Sequence, residues 1–241
     1  MIPRDVPAIT GATMEELQAS LTARYDLRLE ELDIAGHRFG MTVVRDSYAL
    51  VDAIAPEAFA AKERLPYWAD LWTSSLELAR WCLVDPSVAG VSVLEIGCGV
   101  GLAGIAAAQA GARVLMTDVD PEALMFARYN AFKNLPGPVM RSSLSVGVLD
   151  WDAPGSVEPV DLLLGGDVIY ERAIFNRLLD LFDIALRPQG VAVLTDPDRA
   201  IGRAFLERAA ERGYEIRSET RKVARGSMDT TVIRSHLRRS R

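Results

Sequence analysis

Val93-Leu94-Glu95-Ile96-Gly97-Cys98-Gly99-Val100-Gly101-Leu102-Ala103-Gly104 is the stretch on which the reading of this chain turns. An aliphatic run ends in an acid, and three alternating glycines follow. An Ala-rich segment then continues to Ala110 and stops at Gly111. A second apolar run over 113–117 ends at Asp118. The order predicts strand, glycine turn, helix, strand, acid, which is the first half of a nucleotide-binding α/β sheet. Glycine at 97, 99 and 101 leaves no Cβ between the loop backbone and a ligand. Asp118, at the carboxyl end of the second strand, is placed to accept the hydroxyls of a ribose.

The spacing alone does not choose the ligand. Residues 99–104 also fit the dinucleotide fingerprint, with Asp118 about 20 residues on. Glu95 separates the two readings. A carboxylate entering the loop repels a pyrophosphate resting on the next helix N-terminus and favours a cation. S-adenosylmethionine (SAM) carries an ammonium and a sulfonium. Leu149-Asp150-Trp151, after the third expected strand, supplies an acid for the adenine amino group and an aromatic beside it. The expected cofactor is therefore SAM, leaving as S-adenosylhomocysteine. Its expected contacts are Glu95, Gly97, Cys98, Gly99, Gly101, Asp118, Asp150 and Trp151. NAD is the competing cofactor.

A chain of 241 residues, 49% hydrophobic, is long enough for one well-packed main domain. The net charge of −6 argues against nucleic acid or an anionic membrane as partner. Two cysteines, Cys82 and Cys98, and two histidines, His37 and His236, leave little from which to build a metal site. Cys98 lies inside the glycine loop, so a disulfide is not expected, and reduced thiols fit a cytoplasmic setting. The first residues lack a signal-peptide apolar region, and no apolar run is long enough to span a bilayer.

Thr13-Met14-Glu15-Glu16 reads as a capping box opening a helix to about Ala23. Residues 25–33 and 37–44 read as a hairpin turning at Ala35-Gly36. Residues 1–60 are taken as a helix and hairpin covering a main domain of 61–241. Thr73 or Ser74 is expected to cap a helix over 76–83. Pro121 opens a helix to about Asn134. Strand regions are expected over 139–148, 160–164 and 191–195, with a turn at 187–190. Helices are expected over 172–186 and 201–212. Strands over 214–223 and 230–237 close the chain as an antiparallel hairpin. The fold expected is α/β: a doubly wound, seven-stranded, mostly parallel sheet.

In such a sheet ligands bind at the carboxyl ends of the strands. Beyond the cofactor contacts, those ends offer Asp167 with Tyr170, and Asp196 with Arg199. Asp167 is suited to attract and aim an ammonium, and Tyr170 to pack its alkyl stem; the competing roles are a helix cap and a core aromatic. Asp196 and Arg199 read as a loop cap and a surface ion pair. Trp68 and Trp72 are each suited either to the core or to a cofactor wall. No Pro-Pro-Tyr/Phe run follows the fourth strand, where enzymes that methylate base amino groups carry one.

At these residues the chain resembles the class I SAM-dependent methyltransferases and, within them, the lysine-methyltransferase-like group. The resemblance covers about 65–237 and rests on residues 95–104, Asp118, Leu149-Asp150-Trp151 and an Asp-x-x-Tyr at Asp167 and Tyr170. Pro66-Tyr67-Trp68-Ala69 with Trp72 is similar to the segment before the first strand in that group. Asp196-Pro197-Asp198-Arg199 is similar to an Asp-Pro-Gly-Arg, with Asp198 in place of glycine. The resemblance implies that Trp72 and Asp167 touch the cofactor and that Asp167 and Tyr170 are catalytic on the acceptor side. It also implies N-methylation of a lysine on a protein partner. A small-molecule acceptor and a non-catalytic SAM-binding protein are the alternatives.

Overall fold

Alternate residues of the central strands serve two different cores, and this sets the layers. In the computed structural model, which describes residue 9 and residues 11–52, 65–226 and 228–240, Val93, Leu162 and Leu164 join one buried cluster. Leu94, Ile96 and Leu163 join another. A strand buried on both faces reads as a continuous apolar run, as these do.

The elements run in order: α1 (Met14–Arg24), β1 (Leu27–Ile34), β2 (His37–Val44), α2 (Ser47–Asp52), α3 (Thr73–Val84), β3 (Ser92–Ile96), α4 (Leu102–Gln109), β4 (Arg113–Asp118), α5 (Pro121–Asn134), α6 (Gly137–Ser143), β5 (Leu144–Val148), β6 (Val160–Gly166), α7 (Phe175–Ala185), β7 (Leu186–Asp196), α8 (Ala200–Glu211), β8 (Tyr214–Arg225) and β9 (Met228–Arg239). The main sheet has seven strands in the order β5-β4-β3-β6-β7-β9-β8. β9 runs antiparallel to β7 and β8, and the remaining pairs are parallel. This is the doubly wound arrangement expected. The chain leaves β3 towards β4 and β5, then returns to add β6 on the other side of β3. The crevice at that switch point is where such sheets hold ligands.

α4 is buried from Leu102 to Ala108 because it is wedged between α3 and α5. Its Ala-rich composition permits that close approach. α5 starts as expected, with Pro121 in its first turn and Asp120 accepting from the Glu122 amide at 2.8 Å.

The N-terminal hairpin pairs Leu27 with Val44 through Ile34 with His37, and turns through Ala35 and Gly36 with φ of 52° and 80°. Two positive φ angles match the twist of the strands they join. Fully buried Asn130 of α5 ties the hairpin down. It accepts from the Thr42 amide at 2.8 Å and donates to the carbonyls of Thr42 and Val100, both at 3.0 Å. One amide side chain thus links β2 to the glycine loop. α1 carries the expected capping box between Thr13 and Glu16.

Three expectations fail locally. Residues 139–148 are not one strand: α6 fills the first half and β5 the second. A short apolar run with Met140 buried cannot be told from a strand by periodicity. The turn expected at 187–190 lies within β7, whose register against β6 shifts between Val160 and Leu162. Neither Thr73 nor Ser74 caps α3; Trp72 is the N-cap and makes no side-chain cap bond. Of the expected N-terminal unit, residues 1–8, 10 and 53–60 lie outside the described residues.

Candidate functional site

The glycine loop leaves β3 at Ile96 and enters α4 at Leu102. Gly101 is the helix N-cap at φ 91°, and a Cβ there would meet Ala127 Cβ at 2.9 Å. Both the left-handed backbone and the closeness of α5 require glycine. Gly97 faces Trp151: a Cβ on it would lie 3.4 Å from Trp151 Cζ2 and 3.0 Å from Val168 Cγ1. Gly99 lies beneath the Trp68 backbone, whose carbonyl oxygen would be 3.5 Å from its Cβ. Cys98 is buried, its amide donating to the Thr117 carbonyl at 2.9 Å. Burial, then the charges of Glu95 and Asp118, push its thiol well above the usual range.

Two acids flank the loop. Asp118 accepts from the Gly99 amide and from the Asp120 amide, both at 3.0 Å. A carboxylate has about four lone-pair positions, so two bonds leave room for more. Burial lifts its pKa to about 6, against the pull of those amides. Glu95 is buried deeper, 3% exposed, beside the first turn of α4; Oε2 would be 2.4 Å from a Cβ on Gly104. Burial pushes its pKa up to about 8, the Gly104 amide offsetting part of this, and Oε2 has no hydrogen-bond partner. Asp150 and Trp151 follow β5 after the single residue Leu149. The Leu149 amide donates to the Asp118 carbonyl at 3.0 Å, which brings this pair beside Asp118. Asp150 Oδ1 accepts from the Asp152 amide at 3.0 Å.

On the other side of the switch point, β6 ends at Gly166 and Asp167 adopts φ 59°. Its carboxylate is paired with the Arg199 guanidinium, which also binds Asp196 Oδ2 at 2.6 Å and the Ile169 carbonyl at 3.1 Å. Burial raises the Asp167 pKa, the Arg199 charge offsets part of that, and Asp196 adds to it. Burial pulls the Arg199 pKa down, but Asp196 and Asp167 outweigh it and the net shift is upward. Asp167 is no helix cap: the next turn, Arg172–Ile174, starts from Glu171. Tyr170 is no core aromatic, being 48% exposed.

The structure therefore gathers Gly97, Cys98, Gly99, Gly101, Asp118, Asp150 and Trp151 on one side. Asp167, Tyr170 and Arg199 form the other. Trp72, 40% exposed, stands at the head of α3, whose first turn touches Gly166 through Ser75. Trp68 is the core residue of that pair, packed on Tyr25 and Phe126. Sequence reasoning missed two residues. Asn130 carries no motif. Asp196 forms the expected loop cap, accepting from the Arg199 amide at 3.0 Å, and the expected Asp196–Arg199 ion pair is present, but the Asp196 carboxylate is buried and the same guanidinium also reaches inward to Asp167. The Asp-Pro-x-Arg spacing at the end of β7 was the signal available.

The residues fit SAM. Asp118 keeps spare lone pairs beside a loop whose gap at Gly97 towards Trp151 a side chain would fill, and the unpartnered Glu95 Oε2 lies buried behind that loop against Gly104. Carboxylates and an indole suit a cationic adenosyl compound better than a pyrophosphate.

A family model described as lysine methyltransferase matches residues 68–211. The electron transfer flavoprotein beta subunit lysine methyltransferase of Danio rerio is 36% identical over 138 residues, 56% of this chain and 51% of that protein. That of Xenopus laevis is 32% identical over 179 residues, 69% of this chain and 68% of that protein. The chain thus spans about half the length of the first of these curated relatives and about two thirds of the second. Magnesium protoporphyrin IX methyltransferase of Synechocystis PCC 6803, a structure with bound S-adenosylhomocysteine, has a TM-score of 0.54. It shares 18% identity over 80% of this chain and 93% of that one, a likeness of fold. With a match over more than half its length, the chain belongs to the lysine methyltransferase family.

Proposed function

We propose that this protein transfers a methyl group from SAM to a lysine side chain of a protein. The observation that carries the reading is the meeting, at one switch point, of the acid-flanked glycine loop with the Asp167–Arg199 pair and Tyr170. Names of the relatives support a protein acceptor. Glu95, Gly97, Cys98, Gly99, Gly101, Asp118, Asp150, Trp151 and Trp72 are assigned to the cofactor, with Asp167 touching it from the acceptor side.

SAM supplies a methyl already activated on sulfur, so the chain's own residues have orientation and exclusion of water as their work. The acceptor nitrogen has to be neutral to attack. Asp167, aimed by Arg199, draws the ammonium in, and its proton then leaves to water or to that carboxylate. Asp167 and Tyr170 are the proposed catalytic residues. The helix and hairpin of residues 1–60 act as a cover, a role supported by the Asn130 link from β2 to Val100. Two free, buried cysteines support a reducing, cytoplasmic setting. The net negative charge supports a partner other than nucleic acid.

The test is incubation with methyl-labelled SAM and a lysate of the source organism. The reading predicts label in a protein band that acid hydrolysis resolves as methylated lysine. Label confined to the small-molecule fraction contradicts it.

A further inference from the structure

Three large aromatic side chains that face solvent stand together. Tyr67 is 50% exposed, Trp72 40% and Tyr170 48%. The Tyr67 ring is central, its centroid 6.3 Å from Trp72 at 71° and 6.3 Å from Tyr170 at 50°. Single exposed apolar residues need no explanation, but a contiguous group marks a contact surface.

These rings are set in advance. Trp72 Nε1 donates to the Tyr67 carbonyl at 2.7 Å. Tyr67 opens a 3-10 turn, with the Ala69 amide donating to the Pro66 carbonyl at 3.0 Å. Arg225, the last residue of β8, donates to the Leu71 carbonyl and pairs with Glu30 of β1 at 2.9 Å. The hairpin at each end of the chain therefore braces the segment that carries Tyr67 and Trp72. The group bridges the two halves of the site. The residue after Tyr67, Trp68, has its backbone against Gly99, and Tyr170 lies three residues beyond Asp167.

The chemistry of that surface selects its occupant. An anion would meet Asp167 and Asp196, two carboxylates against the single charge of Arg199. A neutral apolar group would use the rings and waste the acid. An alkylammonium uses both: its stem lies on the ring faces and its charge is drawn by their quadrupoles. Methylation keeps the charge while removing N–H donors. Each added methyl makes the ion costlier to hydrate and shifts its attachment from carboxylate to rings. We infer that Tyr67 and Tyr170, bordered on the cofactor side by Trp72, form the surface that receives the alkylammonium end of the acceptor. This surface holds the methylated product more tightly than the unmethylated lysine. The inference rests on the lysine-acceptor reading above.

Three probes test it on the full chain with S-adenosylhomocysteine present: Nα-acetyl-lysine methylamide, its Nε-trimethyl form, and the neutral analogue with carbon in place of the quaternary nitrogen. Binding is followed by the NMR shift of the Trp72 indole, assigned with Trp72→Phe. The expected result is tighter binding of the trimethyl probe than of lysine, and about tenfold weaker binding of the neutral analogue. Tyr67→Phe preserves that order and Tyr67→Ala abolishes it. Tyr67→Ala also slows labelling at limiting lysate protein, while S-adenosylhomocysteine affinity, the control for folding, stays within about twofold. Equal affinity for cation and neutral analogue, or an unchanged response in Tyr67→Ala, overturns the inference. Protein labelling that persists in that case leaves the lysine-acceptor reading standing. A folded protein without affinity for SAM ends both.

Discussion

The amide of Gly99 donates to Oδ2 of Asp118 at 3.0 Å, so the crest of the glycine loop and the acid at the end of the neighbouring strand form one unit. Replacing Asp118 removes an acceptor and a brace together. Hydrogen bonds to charged groups contribute about 1.5–3 kcal/mol each. Asp118→Ala is therefore expected to weaken SAM binding by about 10- to 100-fold in calorimetry. Circular dichroism checks that the chain remains folded.

Glu95 at about 8 and Asp118 at about 6 are both raised, so the ligand-free protein holds protons there that its unfolded chain releases. For an acid raised in this way, stability is full below the unfolded value and is lost as pH rises through the folded value. Thermal melts of the ligand-free protein should fall between about pH 4 and 8. Binding of a cation favours the ionised forms, so SAM affinity should rise over pH 6–8. Glu95→Gln keeps the packing against Gly104 and should flatten the upper part of both curves.

Gly104 looks like an ordinary small helix residue but has no room to spare. A Cβ on it would sit 2.4 Å from Glu95 Oε2 and 2.5 Å from Met116 Cγ. Gly104→Ala gains helix propensity and loses more to overpacking, about 1–3 kcal/mol. Chemical denaturation should show the loss.

Asn130 satisfies the backbone of Thr42 and the carbonyl of Val100 from a fully buried position. Asn130→Ala leaves those groups unpaired, at about 1–3 kcal/mol each. The expected outcome is a cost of several kcal/mol and faster hydrogen exchange across both β2 and the loop. Protection lost in β2 alone would show that the hairpin and the loop are not linked.

Arg199 and Asp196 act on Asp167 with opposite sign. Arg199→Gln removes a positive charge and should move the acid limb of kcat/KM to higher pH. Asp196→Asn removes a negative one and should move it lower. Shifts in the same direction would mean that the limb belongs to another group.

Much of the fold is legible in the sequence alone. β3, α4 and β4 carry local signals that agree with their tertiary roles, and Pro121 and Thr13 mark helix starts that packing has no reason to override. The unreadable parts are those that depend on partners far along the chain. Whether 139–143 coils or extends is decided by the buried place of Met140. Trp72 is the N-cap of α3 without a side-chain cap bond, and the carbonyl of the preceding Leu71 is held by Arg225 from the far end of the chain. Asn130 and Arg199 act by reaching between elements that no single window spans. The pairing of Asp167 with Tyr170 came from a motif, whereas the guanidinium that aims Asp167 needed the fold.

Isothermal titration of the purified chain with SAM and with NAD tests the central claim most directly. The account predicts saturable, one-to-one binding of SAM, lost in Asp118→Ala, and no binding of NAD. Binding of NAD, or a folded chain indifferent to SAM, would contradict it.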